Sequence, residues 1–195
     1  MEMKIGFFDS GSGGLTTLCQ VRNLIPEAEY YYIGDIQHHP YGEKTEEELH
    51  KITKEVVQKF SDWGAEFVVI ACNTATTRCI HYLRSCFPDI TFVGTEPAIK
   101  VACDAGCQNI LLLATPNTIS SKQVERLIEQ NVREQSIFLV PCPGLANLIE
   151  QNVPDMEEMK LRSKQIQPSL KTVNTKNIER VLLSFFEQYK EFRKD

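Results

Sequence analysis

With 195 residues, 42% hydrophobic and 24% charged, the chain can bury one good core, or one domain plus a small second lobe. A net charge of −5 without any Lys/Arg cluster argues against a nucleic-acid partner. No run approaches the about 18 apolar residues of a membrane-crossing helix. Met1–Lys4 leads into a strand pattern without an apolar leader, so the chain reads as cytoplasmic.

The first elements alternate. Lys4–Phe8 has the character of a buried strand, and Gly14–Leu24 carries Leu15, Leu18 and Val21 on one helical stripe that Pro26 ends. Glu29–Gly34 is the second strand. A long helix is expected over Glu46–Trp63 from Leu49, Ile52, Val56, Val57 and Phe60, with Thr45 and Glu48 as a capping box and Gly64 as its C-terminal stop. Glu66–Ala71 is the third strand, and the helix after Cys72 presents Ile80 and Leu83 before Pro88. Ile90–Gly94 is the fourth. This βαβα order predicts an α/β, three-layer αβα fold with a mostly parallel sheet.

A second, similar pattern follows Glu96-Pro97: helix Ala98–Asp104, strand Asn109–Ala114, helix Ser120–Gln130 and strand Ile137–Val140. Regularity then stops. Residues 151–177 are polar, and Ile178, Val181, Leu182, Phe185, Phe186, Tyr189 and Phe192 form a final helical stripe suited to docking on the core. The expected division is a first lobe over 1–96, an incomplete second α/β lobe over 97–175 and a C-terminal helix over 176–195.

Chemistry gathers at strand ends, where open α/β sheets place ligands. The first strand runs into Asp9-Ser10-Gly11-Ser12-Gly13-Gly14, and the third into Cys72-Asn73-Thr74-Ala75. The glycine loop lacks the lysine of a phosphate-binding loop, so it is no nucleotide fingerprint. Its amides suit a small anion instead. The seven cysteines are odd in number and mostly in apolar contexts, which fits reduced thiols. Cys103 and Cys107 lack partners at zinc-finger spacing, so no metal site is expected. Cys19, Cys79 and Cys86 fall in helix patterns and read as packing residues, whereas Cys72 is expected to be the more reactive thiol.

Together these motifs resemble, over residues 4–150, the aspartate/glutamate racemase superfamily of the glutamate racemase type. Asp9–Leu15 is similar to that family's opening loop. Gly34-Asp35 with Pro40-Tyr41-Gly42 resembles its second strand end and substrate-covering turn. Cys72–Ala75 is similar to its first catalytic cysteine loop, Glu96-Pro97 to its crossing into the second lobe, and Pro141-Cys142-Pro143 with Leu148-Ile149-Glu150 to the segment bearing a pocket glutamate.

The resemblance implies cofactor-independent interconversion of L- and D-glutamate, in the service of cell-wall peptidoglycan. Cys72 would be a catalytic acid/base and Asp9 would orient it. Ser10, Gly11, Asp35, Pro40, Tyr41, Gly42, Asn73, Thr74 and Glu150 would bind substrate, an amino dicarboxylate such as glutamate or aspartate. Racemisation needs two groups facing opposite sides of Cα, and thiols exchange protons near neutral pH. The family's second cysteine lies in a Gly-Cys-Thr-His motif that does not occur in these 195 residues. Neither Cys142 nor His38 nor His39 inherits its role by position.

Three functions therefore stay open: a racemase, with a homodimer as one way to complete the pair; an inactive homologue that binds an amino dicarboxylate or acts through a protein partner; and a one-base Cys-dependent isomerase or decarboxylase. Read without the resemblance, the same residues also suit plainer roles, with Cys72 a small buried hydrophobe, Asp35 a cap, Pro40–Gly42 an ordinary turn and Glu150 a solvated helix residue.

Overall fold

The computed structural model describes residues 3–151, within two compact units, Met1–Pro143 and Gly144–Asp195. The expected helix over 176–195 and most of the polar stretch 151–177 lie outside the described residues.

In the first unit, β1 (Lys4–Asp9), α1 (Gly14–Leu24), β2 (Glu29–Gly34), α2 (Glu46–Asp62), β3 (Phe67–Ile70), α3 (Asn73–Cys86) and β4 (Thr91–Gly94) follow in order. The strands form one parallel sheet in the order β2-β1-β3-β4. Alternation along β1 explains the layers. Phe8 points into a cluster with Leu49, Val57 and Phe60 of α2 and with Ala75, Cys79 and Leu83 of α3. Phe7 points to the opposite face, beside Tyr30, whose hydroxyl donates to carbonyls at the end of α1.

The capping box of α2 forms as the sequence predicts. Thr45 Oγ1 accepts from the Glu48 amide at 3.2 Å, and Glu48 Oε2 accepts from the Thr45 amide at 2.8 Å. Past the other end, Gly64 takes φ +76°, a left-handed conformation in which a side chain would be strained.

The chain continues through α4 (Ile99–Asp104), β5 (Asn109–Ala114), α5 (Pro116–Ile119), α6 (Lys122–Asn131) and β6 (Ser136–Pro141). β5 and β6 pair in parallel as a separate two-stranded sheet, beside a small core of Ile99, Val124 and Leu127. The helix expected over Ser120–Gln130 forms as α6, and a short helix absent from the sequence expectation, α5, precedes it. Thr115 caps the Pro116-led turn of α5, and Ser121 caps α6 afresh. The two caps, six residues apart, start two separate helices. A short helix, α7 (Leu145–Gln151), belongs to the second unit. Among the described residues no helix is long and apolar enough to cross a membrane.

Candidate functional site

The parallel register brings the polar motifs to one edge. Asp9 pairs with Gly34, and Phe8 with Ile70, so β1, β2 and β3 end together. The Asp35 amide then donates to the Asp9 carbonyl at 2.9 Å, and the Ala71 amide to the Phe8 carbonyl at 2.8 Å. Asp9, Ser10, Asp35 and Cys72 therefore leave the sheet side by side.

Asp9 is buried, and its carboxylate accepts the Gly14 amide at 2.9 Å, which ties it to the start of α1. Ser10 Oγ lies 3.3 Å from Cys72 Sγ. Cys72 occupies the N-cap of α3, where its sulfur accepts from the Ala75 amide at 3.5 Å. Burial pushes the Cys72 thiol up from its ordinary pKa, and the negative charge of Asp9 pushes it further. The Ser10 hydroxyl and the Ala75 and Ser10 amides pull the other way. At 7% exposure, Cys72 is more enclosed than the sequence suggests for a reactive thiol. Cys79 is buried and Cys86 packs on the core as expected, but Cys19 is exposed, because it falls on the outer side of α1.

The segment after β2 folds back on Asp35. Its carboxylate accepts Tyr41 Oη at 2.6 Å and meets His38 Nδ1 at 2.8 Å. Asp35 thus holds two side chains of its own loop and makes no cap hydrogen bond. Burial and the Asp35 hydrogen bond drive the Tyr41 phenol far above its ordinary pKa, so it stays a donor. Pro40 follows a cis peptide bond. The turn Tyr41–Glu43 rests on the loop after β5: a Cβ on Gly42 would come within 2.7 Å of Thr115 Cβ, and Asn117 Nδ2 donates to the Tyr41 and Lys44 carbonyls at 3.0 and 2.8 Å.

The same loop meets α3. Thr74 Oγ1 lies 2.9 Å from Thr115 Oγ1 and 3.3 Å from Thr118 Oγ1. Arg78 Nε donates to the Asn117 carbonyl at 2.9 Å. Thr74 is therefore buried within this threonine cluster, whereas Asn73, one residue earlier, is exposed. Gly11 is buried and its carbonyl accepts Tyr32 Oη at 2.8 Å. Glu150 lies on α7, in the second unit. Cys142 is buried after β6, with its sulfhydryl turned to its own Val140 carbonyl at 3.4 Å.

Sequence reasoning missed His38 as a partner of Asp35, and missed Thr115, Asn117 and Thr118 altogether. The one available signal was Thr115-Pro116 immediately after a strand, an N-cap followed by a proline that starts a helix. Among the described residues no group of three or more His, Cys, Asp or Glu side chains could hold a metal ion.

A family model described as Asp/Glu/Hydantoin racemase matches residues 18–184. The chain is 36% identical over 183 residues to the glutamate racemase of Clostridium novyi (strain NT), covering 93% of this chain and 70% of that protein. With the glutamate racemase of Clostridium perfringens (strain SM101 / Type A) it shares 38% identity over 159 residues, 80% of this chain and 60% of the other. The chain thus spans between 60% and 70% of the length of these two relatives. In structure it is similar to Escherichia coli glutamate racemase, solved in complex with L-glutamate and the activator UDP-MurNAc-ala. The TM-score is 0.72 at 28% identity, covering 95% of this chain and 74% of that one. With a family model matched from residue 18 to 184 and more than a third of its residues shared with a glutamate racemase, the chain belongs to the Asp/Glu racemase family.

Proposed function

We propose that this chain binds glutamate at the strand ends of the first sheet and exchanges its Cα proton through Cys72. The carrying observation is the 3.3 Å contact between Ser10 Oγ and Cys72 Sγ, at the end of the strand that bears the buried Asp9. Kinship with glutamate racemases supports the substrate class.

A thiolate is the basic form of cysteine, and burial together with Asp9 keeps this one protonated at rest. The α-ammonium of a bound amino acid brings a positive charge that favours the thiolate, and the N-terminus of the 14-residue α3 adds a partial one. Cys72 then takes the Cα proton. Ser10 steadies the sulfur, and Asp9 holds the glycine loop through Gly14. The amides of that loop, with Asn73 and Thr74, receive the α-carboxylate and amine. Tyr41 and Gly42 cover the substrate, fixed from below by Asp35 and Asn117.

A second reading is a one-base enzyme, in which Cys72, the thiol in contact with Ser10, works alone. One thiol serves one face of Cα, so proton return then comes from the same face or from water. Incubation with each enantiomer of glutamate and of aspartate in D₂O separates the readings. Mass spectrometry reports exchange at Cα, and chiral analysis reports inversion. Exchange without inversion identifies one-base chemistry, both at similar rates identify a racemase, and neither with any enantiomer overturns the proposal.

A further inference from the structure

Arg78 belongs to α3 but not to the strand-end cluster, and its side chain is only 20% exposed. Each nitrogen of its guanidinium reaches a different neighbour. Nε donates to the Asn117 carbonyl at 2.9 Å, Nη2 donates to Ser120 Oγ at 2.6 Å, and Nη1 lies 3.9 Å from Glu46 Oε2 at the start of α2. A guanidinium drawn this far from water needs its partners in fixed places, and its planar fork holds them with little further loss of freedom. Arg78 therefore pins α5 and its C-cap, Ser120, to α3.

Asn117 passes this hold on. While its carbonyl accepts from Arg78, its Nδ2 donates to the carbonyls of Tyr41 and Lys44, 76 and 73 residues away in sequence. Those two carbonyls bracket the Tyr41–Glu43 turn, so one side-chain amide ties both of its ends. Tyr41 and Cys72 share one buried cluster, and a charge on the Cys72 sulfur would push the Tyr41 phenol up. A reagent or substrate reaches so enclosed a sulfur only when a neighbour moves. Tyr41 lies on a one-turn segment between β2 and α2, which can open locally at less expense than a core strand or helix.

We propose that Arg78 and Asn117 are positioning residues that form a latch. With the latch made, the Tyr41–Glu43 turn is closed against Cys72, and release of the two Asn117 bonds opens it. Loss of two neutral hydrogen bonds shifts such an equilibrium about tenfold or more. The gate on Cys72 stands on these contacts alone. That it admits and retains glutamate rests on the reading that Tyr41 and Gly42 cover the substrate.

Alkylation of the full chain by iodoacetamide, followed by peptide mapping, tests the gate, and circular dichroism identifies the folded variants. N117A and R78M are expected to label Cys72 about tenfold faster than wild type, with Cys79 unchanged. S120A removes only the Nη2 bond, from the exposed Ser120, and should give a smaller acceleration of about threefold with the fold intact. R22Q on α1 controls for the lost charge and should leave the rate unchanged. In the D₂O assay N117A should raise the KM of glutamate about tenfold while exchange at saturation stays within about threefold. Cys72 labelling within about twofold of wild type in the folded variants, or equal acceleration of Cys79, would overturn the gate. Faster labelling with an unchanged KM would overturn its role toward substrate. A wild type without exchange would overturn the proposed function alone, because alkylation decides the gate.

Discussion

Asp9 ends β1 and Cys72 follows the paired β3, and the Asp9 carboxylate pushes the Cys72 thiol up from its ordinary pKa. The cap position of α3 offers the Cys72 sulfur an amide donor, and Ser10 offers a hydroxyl, while the Asp9 carboxylate and burial hold the thiol neutral. Burial is the largest of these influences and Asp9 adds to it, so the thiol lies above its ordinary pKa.

The sign of each contribution gives the first prediction. D9N removes the negative charge and should lower the Cys72 pKa, so that alkylation by iodoacetamide reaches its midpoint at lower pH. S10A removes a stabilising bond to the thiolate and should shift the midpoint upward. A midpoint that moves the same way in both variants contradicts this electrostatic account.

Cys72→Ala should reduce Cα exchange of glutamate by roughly 10²–10⁴-fold, the usual loss of a positioned acid/base. Cys142→Ala should leave exchange within about twofold, since that sulfhydryl is turned to its own backbone. The D₂O assay measures both.

Alkylation order follows exposure first. Cys19 and Cys107 are exposed and should label before any buried thiol. Among the buried ones, Cys72 should label ahead of Cys79, and glutamate should protect Cys72 alone. Peptide mapping after limited reaction decides the order, and protection of Cys79 instead would move the site.

Alkaline pH should destabilise the fold. Burial raises the Cys79 thiol to about 12, while an unfolded cysteine ionises near 8.5. Its contribution is therefore complete below about pH 8.5 and is lost as pH rises through the folded value near 12. Chemical denaturation of the wild type and Cys79→Ala between neutral pH and about pH 10 should give a shallower decline for the variant.

Tyr41→Phe leaves the buried Asp35 carboxylate short of a 2.6 Å donor and should cost about 1–3 kcal/mol. Gly42→Ala forces a Cβ to within 2.7 Å of Thr115 Cβ and should destabilise by a similar about 1–3 kcal/mol. Thermal melts read both. Thr115→Gly should relieve the second change and not the first.

Local patterns in the sequence determined much of this protein. Alternating buried runs and helical stripes set β1 to β4 and α1 to α3 within a residue or two, because burial period and caps act between near neighbours. Polar residues at the ends of β1 and β3 marked the edge that holds Asp9 and Cys72, since parallel strands direct their C-terminal ends toward the same edge. What the Asp35 carboxylate binds, how enclosed Cys72 is, and why Thr74 is buried while Asn73 is exposed were decided by contacts across long separations. Thr74 meets Thr115 from 41 residues away, and the Tyr41 carbonyl meets Asn117 from 76. Such pairs leave no periodic trace in the chain: each depends on two surfaces meeting after both have folded, and only the tertiary structure brings them within a hydrogen bond.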